Sequence, residues 1–202
     1  MLEEIVRNAQ VEDVSIKSAQ FENELLEDFD ATSIDFRDTV FTNCRFVNCL
    51  FVKGYFLNVT FHNCQFSNCD FTDSYWKESK LLRCKAQGAI FAESVWKASS
   101  IQDSTLQYSN CVRASWDHCT LRDSDFRDSF LSEMKVKSTT FSDINFQKAD
   151  FFNTKFRGVD LSTCQLEGIA VSESCFELRG ATIDALQGAE VARILGIKVV
   201  YR

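Results

Sequence analysis

Every fifth residue of this 202-residue chain carries the same kind of side chain. From Phe36 to Phe176 one phase of five holds 29 positions: fifteen Phe, six Leu, three Trp, two Val, and one each of Ile, Cys and Ala. With Phe21 added, sixteen of the nineteen phenylalanines share this phase, where chance would place about a fifth of them. A second phase, two residues earlier, is small: 25 of its 29 members from Ile34 to Ser174 are Cys, Ser, Ala, Thr, Val or Gly. A period of five fits neither the 3.6 of a helix nor the 2 of a strand. The backbone must therefore repeat a short extended piece and a turn, with bulk and smallness alternating inward. Proline is absent and glycine occurs only seven times, so other residues make the turns.

Segments such as CRFVN, CLFVK, CQFSN, CDFTD, SDFRD, ADFFN and VDLST resemble the repeat of the pentapeptide-repeat proteins. The resemblance covers residues 9 to 178. It implies an all-β fold, a right-handed quadrilateral parallel β-helix with four pentapeptides per square coil, in which residues twenty apart lie above one another. Phe36, Phe56, Trp76, Trp96, Trp116, Val136, Phe156 and Phe176 then form one interior column. The organisation expected is an N-terminal cap over 1–10, the rod over 11–178, and a capping helix with a short strand over 179–202. Glu24 and Phe29 occupy small-residue slots and Ala31 a large one, which predicts a loop or distorted coil over 22–33.

Beyond Phe176 the pattern changes to GATIDALQGAEVARILGIKVV, which predicts a helix from Ile183 to Leu195 with Thr182 as N-cap. Ile183, Leu186, Val191, Ile194 and Leu195 cluster on one side and Ala185, Ala189 and Ala192 on another. One side can seal the open end of the rod, since a stacked sheet end is an exposed template for pairing. The tail resembles the C-terminal segment of the quinolone-resistance members of the family. That resemblance implies a homodimer joined through Ile183, Leu186, Ala189, Val191, Ile194 and Leu195.

Catalysis finds no seat. His62 and His118 fall on outward phases without a nucleophile or acid in register, and no phosphate loop, serine elbow or zinc-protease motif is present. The nine cysteines include two C-x4-C pairs, Cys44/Cys49 and Cys64/Cys69, but seven of the nine occupy the small inward phase, where a tetrahedral ion has no room. No metal, cofactor or disulfide is expected, and the thiols together with a start lacking a secretory signal predict a cytoplasmic protein with no membrane contact.

What remains is a binding surface. In the quinolone-resistance branch an acidic rod copies duplex DNA and binds DNA gyrase or topoisomerase IV in its place, so the resemblance implies such a partner and no direct nucleic-acid contact. The net charge of −7 suits that role. Its distribution does not, because residues 1–30 hold nine acids against two bases, and removing these from totals of 29 and 22 leaves 20 of each. An acidic ladder of Asp103, Asp123 and Asp143 survives, and a second outward face carries Leu50, Val52, Ile90, Val112, Phe130 and Phe152. Unbroken phase from Phe36 to Phe176 leaves no room for the loops that interrupt that branch's coils. The sequence therefore supports a non-enzymatic protein-interaction rod first and a DNA mimic second, with Asp103, Asp123, Asp143, Phe130 and Phe152 as contact residues.

Overall fold

The computed structural model describes residues 1–200. Every inward residue stands above its counterpart twenty positions earlier, and the parallel pairs Phe36↔Phe56, Phe56↔Trp76, Trp76↔Trp96, Trp96↔Trp116 and Trp116↔Val136 build one column. Each coil has four sides. Side one stacks seven strands, from Ile16–Lys17 through Asp35–Arg37, Tyr55–Leu57 and Tyr75–Lys77 to Lys135–Lys137. Side two stacks seven more, from Gln20–Glu22 to Thr140–Ser142. Side three begins as three strands, Leu25–Glu27, Arg45–Val47 and Gln65–Ser67, and continues as single bridges from Gln65 to Gln165. Side four is held by single bridges throughout, from Asp30 through Leu50, Asp70, Ile90, Asn110, Phe130 and Asp150 to Ala170.

The corners solve the turn problem. Every fifth residue from Asp13 to Asn153 has positive φ, most often Asn or Asp, the two residues that best tolerate the left-handed region after glycine. On side four an Asp or Asn just before the inward residue accepts from the amide two residues on, as in Asp70 with Thr72 (2.8 Å) and Asn110 with Val112 (3.0 Å).

The interior explains both phases. Aromatic rings stack between coils, Trp76 on Trp96 at 4.3 Å and Phe41 on Phe61 at 4.7 Å, and meet edge to face around each coil, Phe41 with Phe46 at 5.6 Å. The small residues are polar enough to serve the backbone beside them. Ser79 Oγ donates to the Phe56 carbonyl and accepts from the Val59 amide, while Cys44 Sγ donates to the carbonyls of Phe21 and Thr42. Trp76 Nε1 donates to Ser74 Oγ at 2.8 Å. Among the described residues no buried side-chain polar atom lacks a partner.

Residues 22–33 correct the expectation of a loop. They form a regular coil, because Phe29 and Ala31 exchange slots, both buried, so that bulk moves two places without leaving the core. Glu24 stays in register because its carboxylate receives the start of helix α1 (Leu2–Glu12): the Leu2 amide at 3.3 Å and the chain's amino group at 3.6 Å. Helix α1 also moves the start of the rod. Leu2, Val6 and Ala9 form its buried stripe and cover the first coil, whereas Val11, placed on the inward phase by sequence, is 85% exposed. The helical spacing wins there, and stacking begins at Ile16.

The other end differs as well. After Ala170 two extra residues enter, so Asp160 pairs with Thr182, twenty-two positions on. The surplus wraps around Glu177, a buried carboxylate that accepts from the amides of Asn153 and Ser172 (3.1 Å each) and from Ser172 Oγ (2.8 Å). Phe176 is consequently half-buried in a short 3-10 turn, not stacked in the column, and Leu178 is buried in its stead. Thr182 belongs to the last bridge, so the N-cap of helix α2 (Ala185–Ile194) is Asp184, whose carboxylate accepts from the Gln187 amide while Gln187 Oε1 accepts from the Asp184 amide. No strand follows among residues 195–200, and the remainder of the expected segment, residues 201 and 202, lies outside the described residues.

Candidate functional site

The rod offers sides and corners, and the sequence-predicted residues distribute over them unequally. Leu50, Val52, Ile90, Val112, Phe130 and Phe152 all lie on side four, with Leu50, Phe130 and Phe152 exposed by 41%, 51% and 48%. Asp70 and Asp150, on the same side, turn their carboxylates onto the amides of Thr72 and Phe152. No Lys or Arg flanks an inward position of this side between Asp30 and Ser172, so its outer surface is apolar with bound acids.

Asp103, Asp123 and Asp143 do form one column, along the corner between sides two and three, and line a shallow open groove with Thr105, Asp125 and Asn145. Each has φ near 50°, so the first task of these aspartates is to make the turn. The same column begins as an amide ladder, Asn63 donating to Asn43 (2.7 Å) and Asn43 to Asn23 (3.3 Å). Asp123 pairs with Arg122 at 3.0 Å, and Asp143 Oδ2 accepts from Ser142 Oγ. Sequence reasoning missed this corner role, although the recurrence of Asn and Asp two places after each large residue carried it.

The six predicted dimer residues do not share a face. Ile183 and Val191 pack partly against the core, Ala189 is half-buried, and Leu186, Ile194 and Leu195 point outward, joined there by exposed Ile197 and Val200. The sealing contact is one the sequence reading did not single out. Buried Gln187 sends Nε2 to the carbonyls of Leu161 (2.8 Å), which also accepts from the Cys164 amide, and Cys164 (2.5 Å), which has no other donor among the described residues.

The nine cysteines are free and buried. Burial pushes the Cys111 thiol up to about 12 and those of Cys119 and Cys164 up to about 11, which makes them poor nucleophiles. Among the described residues no group of three His, Cys, Asp or Glu side chains has the geometry of a metal site, and no helix is long and apolar enough to cross a membrane. His118 is exposed and bonds Asp117 at 2.7 Å; His62 stands on side two in register between Thr42 and Leu82.

The model of the pentapeptide repeat region matches residues 14–91 and 34–111, and that of pentapeptide repeats in eight copies matches 135–168. The chain belongs to the pentapeptide-repeat family. Among solved structures, the fold is similar to that of QnrB1, described as a plasmid-mediated fluoroquinolone resistance protein. Two trypsin-treated variants align with TM-scores of 0.53, at 19% and 21% identity, covering 90% and 93% of this chain and 100% and 99% of theirs. The full-length form aligns at 0.52 and 19%, covering 88% of this chain and all of its own. These pentapeptide-repeat structures share the parallel β-solenoid. No curated protein matches the chain.

Proposed function

We propose that this pentapeptide-repeat rod is a non-enzymatic binding protein whose contact surface is side four. The observation that carries this reading is the coincidence of Leu50, Phe130 and Phe152, all substantially exposed, on a side whose acids are already bonded to their own backbone. A protein partner that covers them removes apolar area from water at about 25 cal/mol per Å². Phe130→Ser is expected to abolish capture of a partner by the purified rod, while Asp103→Asn with Asp123→Asn leaves it unchanged; the reverse pattern rejects side four.

A second reading, a DNA-mimicking modulator of DNA gyrase or topoisomerase IV, is supported by the Asp103–Asp123–Asp143 column and by the likeness of fold to a fluoroquinolone resistance protein. Pure protein added to a gyrase supercoiling assay, with and without a quinolone, tests it; no effect at tens of micromolar rejects it. Either function is served by a homodimer joined through the outward residues of helix α2. Leu186, 70% exposed, is the natural centre of that contact. Leu186→Glu is expected to convert a dimer to a monomer in sedimentation, and a monomeric unsubstituted protein at micromolar concentration removes the dimer altogether.

A further inference from the structure

Charge is segregated by side to a degree the total conceals. The positions flanking the inward residues of side one, from Ser15 to Arg157, hold eight Lys and Arg against two acids, Asp35 and Asp117, a net of +6 on a chain of −7. Parallel register places Lys17 against Arg37 and Lys77 against Lys97. Like charges facing each other across strands are destabilising. On the strands of side two the bases sit between neutral residues, Lys80 between Thr60 and Ser100, and Arg122 between Gln102 and Ser142. Of the two acids, Asp35 is held by Arg37 at 2.7 Å and Asp117 lies 3.7 Å from Lys137. Among the described residues Lys97, Lys135, Lys155 and Arg157 make no ion pair, and Lys97 lies over the ring of Tyr75, which stacks on Tyr55 at 4.9 Å.

We propose that side one binds a single-stranded nucleic acid laid along the rod, its phosphates on the lysine column and its bases beside the Tyr55–Tyr75 pair. The strip is about 30 Å long over seven strands and about 10 Å wide. Columns carrying acids border it: Asp38 and Glu78 at one corner, and at the other Asp73, Glu93 and Glu133 interleaved with Lys53 and Arg113, the last paired with Glu93. That border disfavours a broad anionic plane such as a membrane, whose edges would meet carboxylates within a Debye length of about 8 to 10 Å. A duplex winds its phosphate rows off any straight line once per turn of about 34 Å. A flexible single strand can follow the strip, and the exposed ring of Tyr55 gives its bases a surface that an acidic peptide does not use. On this side the proposal departs from the family resemblance, which implies no direct nucleic-acid contact.

The test is fluorescence anisotropy with a labelled oligothymidylate of about twelve nucleotides, against a duplex of equal length, phosphatidylserine vesicles and polyglutamate. Neutralising about four phosphates predicts affinity about fifty-fold weaker at 200 mM than at 50 mM salt. Lys77→Gln with Lys97→Gln, and separately Lys135→Gln with Lys155→Gln, should each weaken binding about tenfold, the first pair with Tm unchanged or raised, since a like-charge contact is relieved there. Arg45→Gln with Lys80→Gln, away from the strip, should leave affinity within about twofold. The proposal is overturned by no binding at 50 mM salt, by equal losses in all three pairs, or by a duplex, vesicle or polyglutamate bound as tightly as the single strand.

Discussion

At the scale of the residue, each position in the five-residue unit has one task. The large residue fills the interior, the small one serves the backbone from within, and the corner residue accepts positive φ. Phe126 is fully buried, and Phe126→Ala is expected to cost about 3 to 5 kcal/mol in a denaturant titration, the range of a core truncation. The small slot is less forgiving of chemistry than its size suggests. Ser74 Oγ both accepts from Trp76 Nε1 and donates to the Phe71 carbonyl, so Ser74→Ala should cost about 1 to 3 kcal/mol by stranding a buried indole N–H, while Ser129→Ala, whose hydroxyl has only the Phe126 carbonyl, should cost less. Equal losses at the two serines would contradict this account.

At the scale of the element, both ends are closed by helices that borrow backbone partners from the rod. Helix α1 brings its orphan amide to Glu24, and helix α2 brings Gln187 to the orphan carbonyl of Cys164 and to that of Leu161. Gln187→Leu would keep the volume and leave the Cys164 carbonyl without a donor. A loss of about 1 to 3 kcal/mol is expected, read as a lowered thermal midpoint, with the circular dichroism of the rod retained. An unchanged midpoint would mean the end is sealed by Ile183 and Val191 alone. The helix ends were harder to read than the coils for a physical reason. Val11 satisfies the five-residue phase by coincidence while Leu2, Val6 and Ala9 satisfy a helical one, and only the exposure of Val11 decides between them. Likewise the slip around Glu177 depends on amides from Asn153 and Ser172 converging on one carboxylate, which no local pattern announces.

At the scale of the molecule, the solenoid was legible because its period is imposed by packing at each coil: Phe, Trp and Leu fall inward wherever they occur on phase from Phe21 to Leu166. The exchange of Phe29 and Ala31 reads as a defect along the chain and as conserved volume in three dimensions. The sides were legible only in part. Side four could be assembled by stepping twenty residues, but charge summed along the chain mixes side one with its acidic corners and hides both. The thiol-rich interior also sets the molecule's response to alkali. Thiols of the unfolded chain ionise near about 8.5, whereas burial holds Cys111, Cys119 and Cys164 protonated to about 11 or 12. Because the folded state keeps protons that the unfolded state loses, this stabilisation is complete below about pH 8.5 and falls as pH rises toward the folded values, by up to about 1.4 kcal/mol per pH unit for each thiol. The urea midpoint should therefore be lower at pH 10 than at pH 8; a flat profile would show that the thiols are solvated.

A coil closes only after four units, so the length of this chain and the direction its surfaces face are one variable. Deleting a single pentapeptide after Phe71 would leave the interior phase intact and still turn everything beyond it by a quarter: Phe130 would move from side four to side three, and Lys97 from side one to side four. The rod could fold and yet present a scrambled exterior. Only additions or losses of twenty residues keep apolar and basic stripes continuous, so chains of this kind can lengthen without losing a partner in steps of one whole storey and no less.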